Sequence, residues 1–162
     1  MNLIRKTLTI SMTAIALSAA AAAPAIAAGS GSGYNSSDTG STKAFRQARA
    51  LVGEGDYAAA IPKLEKVALE EPDNADVFNL LGFSYRKTGD TARAAPHYET
   101  ALRINPKHRG ALEYQGELFL MLNQPEKAEA NLAKINDICW FKCDEARELE
   151  NAIAQWRAKN GS

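Results

Sequence analysis

Apolar residues in the middle of the chain recur with a helical period. Phe78, Leu81, Gly82 and Tyr85 fall at i, i+3, i+4 and i+7, one face of a helix. Gly82 inside that helix costs roughly 1 kcal/mol against alanine, so a close approach by a partner helix is the expected compensation. Gly89-Asp90 breaks the pattern, with glycine suited to the left-handed position after a helix end, and Asp90 or Thr91 is placed to cap the next helix. Ala94, Tyr98, Ala101 and Leu102 then form a second apolar stripe. Asn105-Pro106 ends it, because proline disfavours helix at the preceding residue. Near the C-terminus, Ala146, Leu149, Ile153 and Trp156 mark one more helix over 144–159, with Glu145, Arg147, Glu148, Asn151 and Gln155 on its other side. Asp144 and Glu145 are expected to favour its start by capping and by the helix dipole.

The same features return at a step of 34 residues. Gly55-Asp56 precedes Gly89-Asp90, Ala60 precedes Ala94, Pro62 precedes Pro96 and Pro72 precedes Pro106 by that interval. Going forward, Gly116 corresponds to Gly82, Phe119 to Tyr85 and Ala128 to Ala94. The spacing predicts three helix pairs, about 42–72, 76–106 and 110–138. Pro62 and Pro96 fall inside second helices, where a kink is expected. Pro125 sits at a helix start, where its missing N–H costs little. Gln47 and Gln115 occupy the slot of Leu81, and periodicity gives no reason for a polar side chain there.

Phe78-x-x-Leu81-Gly82-x-x-Tyr85, Ala94-x-x-x-Tyr98 and Pro106 together resemble the tetratricopeptide repeat, with Phe for Trp and Tyr for Phe. The resemblance covers about 42–138. It implies an all-α fold, a right-handed α-solenoid of about three helix pairs, to which the 144–159 helix adds a cap with a polar outer face. It also implies a binding or scaffolding role, with the first helix of each pair lining a concave groove for a protein or peptide. Carried over by register, the groove positions are Phe45, Arg49 and Val52, then Asp76, Asn79, Phe83 and Arg86, then Glu113, Glu117 and Leu120. Phe45 and Phe83 are candidate apolar anchors. Arg49, Asn79 and Arg86 are candidates to hold a peptide backbone or carboxylate. The alternative for each is a side chain that merely solvates the groove or packs between helices. Phe45 and Arg49 stand where some family members clamp a C-terminal carboxylate with other residues, so that specificity is not carried over.

The N-terminus is a separate object. Arg5 and Lys6 precede an apolar, alanine-rich run from Leu8 to Ala23, and Ala25-Ile26-Ala27 fits a cleavage site. This is the pattern of an exported, bacterial-type signal peptide over 1–27, cut after Ala27, which places the mature chain in the periplasm or outside. An uncleaved anchor is the competing reading. Residues 28–41, rich in Gly and Ser, read as a flexible linker to the domain at 42–159. The chain has 19 basic and 19 acidic residues; two of the basic ones and none of the acidic ones lie in 1–27, leaving a mature charge of −2. Such a balance argues against nucleic acid or an anionic membrane as the main partner. The oligomeric state is not legible, although Trp140, Phe141 and Trp156 are candidates for a self-contact.

Cys139 and Cys143 are the two cysteines of the chain. In an oxidising compartment a disulfide is the default, here closing a short bend between the third pair and the cap helix. Two alternatives remain: a thiol–disulfide exchange site, or a copper site completed by a third ligand. His97 and His108 are remote from the cysteines in sequence and read as ordinary histidines. Gly53-x-Gly55-x-x-Ala58 follows a helix and not a strand, the wrong context for a dinucleotide fingerprint. No P-loop, G-x-S-x-G or H-E-x-x-H occurs, so neither an enzyme nor a cofactor is expected.

Overall fold

Seven helices follow one another in the computed structural model, which describes residues 42–141 and 143–161. They are α1 (Lys43–Gly53), α2 (Tyr57–Glu70), α3 (Ala75–Lys87), α4 (Thr91–Ile104), α5 (Arg109–Met121), α6 (Pro125–Ile138) and α7 (Asp144–Asn160). The expectations for a signal peptide at 1–27 and a linker at 28–41 lie outside the described residues. No strand occurs among the described residues, and no described helix is long and apolar enough to cross a membrane.

Local chemistry sets the boundaries. Asp56 and Asp90 cap α2 and α4, each accepting a hydrogen bond from the backbone N–H three residues on, at 3.1 and 3.0 Å. The preceding Gly55 and Gly89 take φ of +80° and +87°, the left-handed turn that a side chain would strain. In the third pair Asn123 fills this place at φ +58°, as asparagine can. Its neighbour Gln124 makes no capping bond; Pro125 takes the first helical position instead. Pro62 and Pro96 both lie inside their helices, which continue past them. The cap helix departs from expectation: Cys143 is its N-cap and makes no capping bond, while Asp144 and Glu145 sit in the first turn, where they act on the dipole.

Within each pair the two helices pack side by side, and each second helix also packs on the next first helix. α1, α3, α5 and α7 touch one another in succession, whereas α2, α4 and α6 do not. The odd-numbered helices are therefore the inner layer of the stack and the even-numbered ones the outer. One apolar cluster joins α1 to α4 through Leu64, Val67, Val77, Leu81 and Tyr98, and takes Leu118 from α5. A second joins α5, α6 and α7 through Leu112, Ile135, Leu149 and Ile153, with Trp156 partly buried against it.

Both conspicuous glycines mark contacts closer than a side chain allows. A Cβ on Gly82 would lie 2.8 Å from the ring of Tyr98 on α4. A Cβ on Gly116 would lie 2.7 Å from Leu149, so in the third pair the close neighbour is the cap helix and not α6. The two anomalous glutamines resolve differently. Gln47 is exposed on α1. Gln115 is buried, and its Oε1 accepts a 3.0 Å hydrogen bond from the buried Nδ2 of Asn131, which satisfies both groups.

Cys139 and Cys143 are bonded to each other, their Cα atoms 6.1 Å apart. They close the bend between α6 and α7 and pack on the second cluster. Closing a five-residue loop removes about 2 kcal/mol of unfolded-chain entropy. Cys139→Ser/Cys143→Ser is therefore expected to lower the unfolding free energy by about 2 kcal/mol, measured by urea unfolding without reductant. An unchanged midpoint would show that the bond carries no stability.

Candidate functional site

The inner layer carries all ten groove positions, but at different depths. Phe45 is 3 % exposed and belongs to the first cluster with Ala48 and Leu64. Leu120, buried in the second cluster, does the same at the other end. Neither can anchor an occupant, because each already fills the core beneath the groove. Asn79 is also fully covered. Val52 packs partly against the first cluster. Arg49 is half-buried, with its guanidinium 5.8 Å from the centre of the Phe45 ring.

Phe83, like Val52, is an apolar groove residue that remains partly open. Its ring lies edge-on to Tyr57 of α2 at 5.6 Å and tilted on Tyr114 of α5 at 4.6 Å. Cations cover this aromatic group: the Arg86 guanidinium stands 5.5 and 5.6 Å from the Phe83 and Tyr114 rings, and the Lys87 ammonium 5.6 and 6.0 Å from Phe83 and Tyr57. Tyr57, Lys87 and Tyr114 were missed from sequence. Tyr57 is on the outer layer, and Tyr114 reaches Phe83 only because α5 lies beside α3.

Arg86 is held from two further sides. Its Nε donates to the Tyr98 hydroxyl at 3.3 Å, and it pairs with Glu117 of α5 at 2.5 Å. Two groove positions thus bind each other across adjacent repeats. Asp76 is engaged likewise: His108, whose Nδ1 accepts the Ala111 N–H and caps α5, bonds the Asp76 carboxylate through Nε2 at 2.9 Å. That bond holds the Asp76 carboxyl below its ordinary value, against the opposing effect of burial and with help from Arg49.

Glu113 is the outlier. It is 1 % exposed, and burial, together with a hydrogen bond to Glu148 of α7, pushes its carboxyl up to about 10. A group with that value is a neutral acid at physiological pH. Sequence pattern placed Glu148 on the polar outer side of the cap helix; it is half-buried against α5. His97 is wedged between Phe78 and Tyr85, its ring parallel to Tyr85 within 3° at 5.4 Å, and burial lowers its affinity for a proton. Among the described residues no group of three or more His, Cys, Asp or Glu is arranged to hold a metal.

Known proteins match this geometry. Two family models, each described as a tetratricopeptide repeat, match residues 45–83 and 75–108. The DnaJ protein P58IPK homolog B of Oryza sativa subsp. japonica is 32% identical over 88 residues, 54% of this chain and 19% of that one. An uncharacterized protein, ycf37, of Pyropia yezoensis is 36% identical over 61 residues, 38% of this chain and 34% of its own. The match thus spans about a fifth to a third of these relatives. Among solved structures, the Sgt2 tetratricopeptide domain of Aspergillus fumigatus superposes with a TM-score of 0.64 at 20% identity, over 74% of this chain and 81% of that one. The corresponding domain of P58(IPK) gives 0.63 at 18% identity, over 74% and 33%. With the repeat motif at 78–106, paired helices in two layers and both models over this stretch, residues 45–108 are tetratricopeptide repeats, and the described helices take the fold of that repeat.

Proposed function

We propose that this protein is an exported, non-catalytic adaptor that binds a protein or peptide segment along the inner layer of its helices. The fold is that of a protein-interaction scaffold. The observation that carries the reading is the partly open Phe83 between Tyr57 and Tyr114, with Arg86 and Lys87 over the rings. Aromatic surface gives an occupant contact area at low entropic cost, and fixed cations orient its carbonyls and carboxylates. Export rests on the segment around Arg5, Lys6 and Ala25-Ile26-Ala27, and the bonded cysteines suit an oxidising compartment.

Phe83 also packs on the first cluster, so truncating it would mix binding with stability. Charge reversal at half-buried Arg49 and exposed Lys87 removes no core side chain. Arg49→Glu/Lys87→Glu is expected to abolish capture of the partner in a crosslinking pull-down from the exported fraction, under conditions where urea unfolding shows that the variant, which loses its cation–ring contacts, remains folded. Undiminished capture would sink the groove reading. A recovered protein that still begins at Met1 would sink the cleaved signal.

A further inference from the structure

Four carboxylates meet where α5 faces α7, and two of them pair with no cation among the described residues. Glu117 is paired with Arg86 at 2.5 Å, and Glu145 with Arg109 at 3.5 Å. Glu113 and Glu148 bond to each other. Glu113 is buried, and its Oε2 has no hydrogen-bond partner. Buried polar oxygens are nearly always satisfied, so an orphan beside a second carboxyl needs a reason. Burial beside a second carboxyl holds Glu113 as the neutral acid, at a cost to folding. A clip between α5 and α7 would be better served by an amide or an apolar pair. Glu148 is only half-buried, so the pair can be reached from its side, and both residues belong to the inner layer, at the end of the groove beyond Phe83.

We propose that Glu113 and Glu148 form the receptor for a lysine or arginine side chain carried by the segment that occupies the groove. This rests on the groove reading above. The incoming cation supplies hydrogen bonds to Glu148 and to the orphan oxygen of Glu113, and the Glu113 proton leaves to solvent as it enters. Arg86 and Arg109 are already committed to Glu117 and Glu145, so neither serves Glu113 or Glu148, and the site favours a positive charge over a negative one. The groove is then complementary in charge along its length: Arg49 and Lys87 face one part of the segment, and the acid pair faces its basic residue. Because binding displaces the Glu113 proton, affinity should rise with pH as Glu113 ionises and fall away in acid.

The test uses the full-length mature protein, with carbon-13 side-chain carboxyl signals as the readout. The probes are the peptide acetyl-Ala-Ala-Lys-Ala-Ala-amide, its norleucine counterpart and n-butylamine. The lysine peptide is expected to bind about tenfold more tightly than the norleucine peptide and to move the Glu113 signal towards the ionised form. That preference should vanish in Glu113→Gln/Glu148→Gln, which removes an uncompensated acid and so should remain folded. Equal binding of the two peptides overturns the proposal while leaving the groove reading intact. Binding of neither at millimolar concentration also overturns it, and the groove reading is then judged by the Arg49→Glu/Lys87→Glu capture alone. Butylamine bound as tightly as the lysine peptide overturns the assignment to a chain-borne cation in favour of a free amine.

Discussion

Gly82→Leu is expected to cost about 3 kcal/mol or more of folding stability, the upper end for forcing atoms into a packed core. The first added carbon would already lie 2.8 Å from two carbons of the Tyr98 ring. Tyr98 is fully buried and tethered by Arg86, so it cannot swing aside. Gly82→Ala should also destabilise, although alanine gains roughly 1 kcal/mol in helix propensity. The chain itself indicates the compensation. In the first pair, Ala48 stands where the second has Gly82, and Leu64 where it has Tyr98. Both are fully buried, so a smaller partner admits the larger inner residue. Gly82→Ala/Tyr98→Leu should therefore be more stable than the two single losses added together, a coupling that a double-mutant cycle by urea unfolding measures. Strict additivity would show that the ring and the glycine do not oppose each other.

That contact shows what was legible in sequence. The helical period gave the faces, and Gly82 within a face announced a close neighbour. The 34-residue step located the turns at Gly55 and Gly89 and the first helices that form the inner layer. It failed at Asn123, because the turn needs a left-handed residue and not glycine in particular. It also gave no reason for Gln115, since the answer is a side chain on another helix, Asn131.

The candidate site was less legible, for a physical reason. Register assigns a residue to a face but not to a depth, and depth separates Phe45, which is core, from Phe83, which is partly open. Pairing across repeats is likewise invisible along one helix: Arg86 with Glu117 and Asp76 with His108 each join positions about thirty residues apart. The cap helix reads in sequence as an amphipathic strip with a solvated outer side, and its stripe of Ala146, Leu149 and Ile153 is buried. Yet Glu148, on the polar side of that strip, meets Glu113. A carboxyl at a groove position carries no mark in sequence that its neighbour is another carboxyl.

Glu113→Gln is expected to stabilise the protein at neutral pH, by up to about 3 kcal/mol. The folded carboxyl is pushed up to about 10, whereas the ordinary value is 4.5. Between those values the folded chain holds a proton that the unfolded chain releases. The contribution of Glu113 is therefore fully present below 4.5 and is lost as pH rises towards 10. Each pH unit in that window removes at most about 1.4 kcal/mol. Glutamine stays neutral throughout and can still donate to Glu148, so the variant should lack this slope. Asp76 works in the opposite direction: His108 holds its carboxyl low, so its contribution is lost as pH falls. Subtracting the two unfolding profiles, wild type minus Glu113→Gln, cancels Asp76 and isolates Glu113. A difference that is flat with pH would mean that Glu113 ionises normally and would remove the strain on which the basic-residue receptor depends. A difference that grows from acid to neutral pH would show that the fold retains a buried acid at the expense of its own stability. That is the behaviour of a group kept for an occupant and not for the fold.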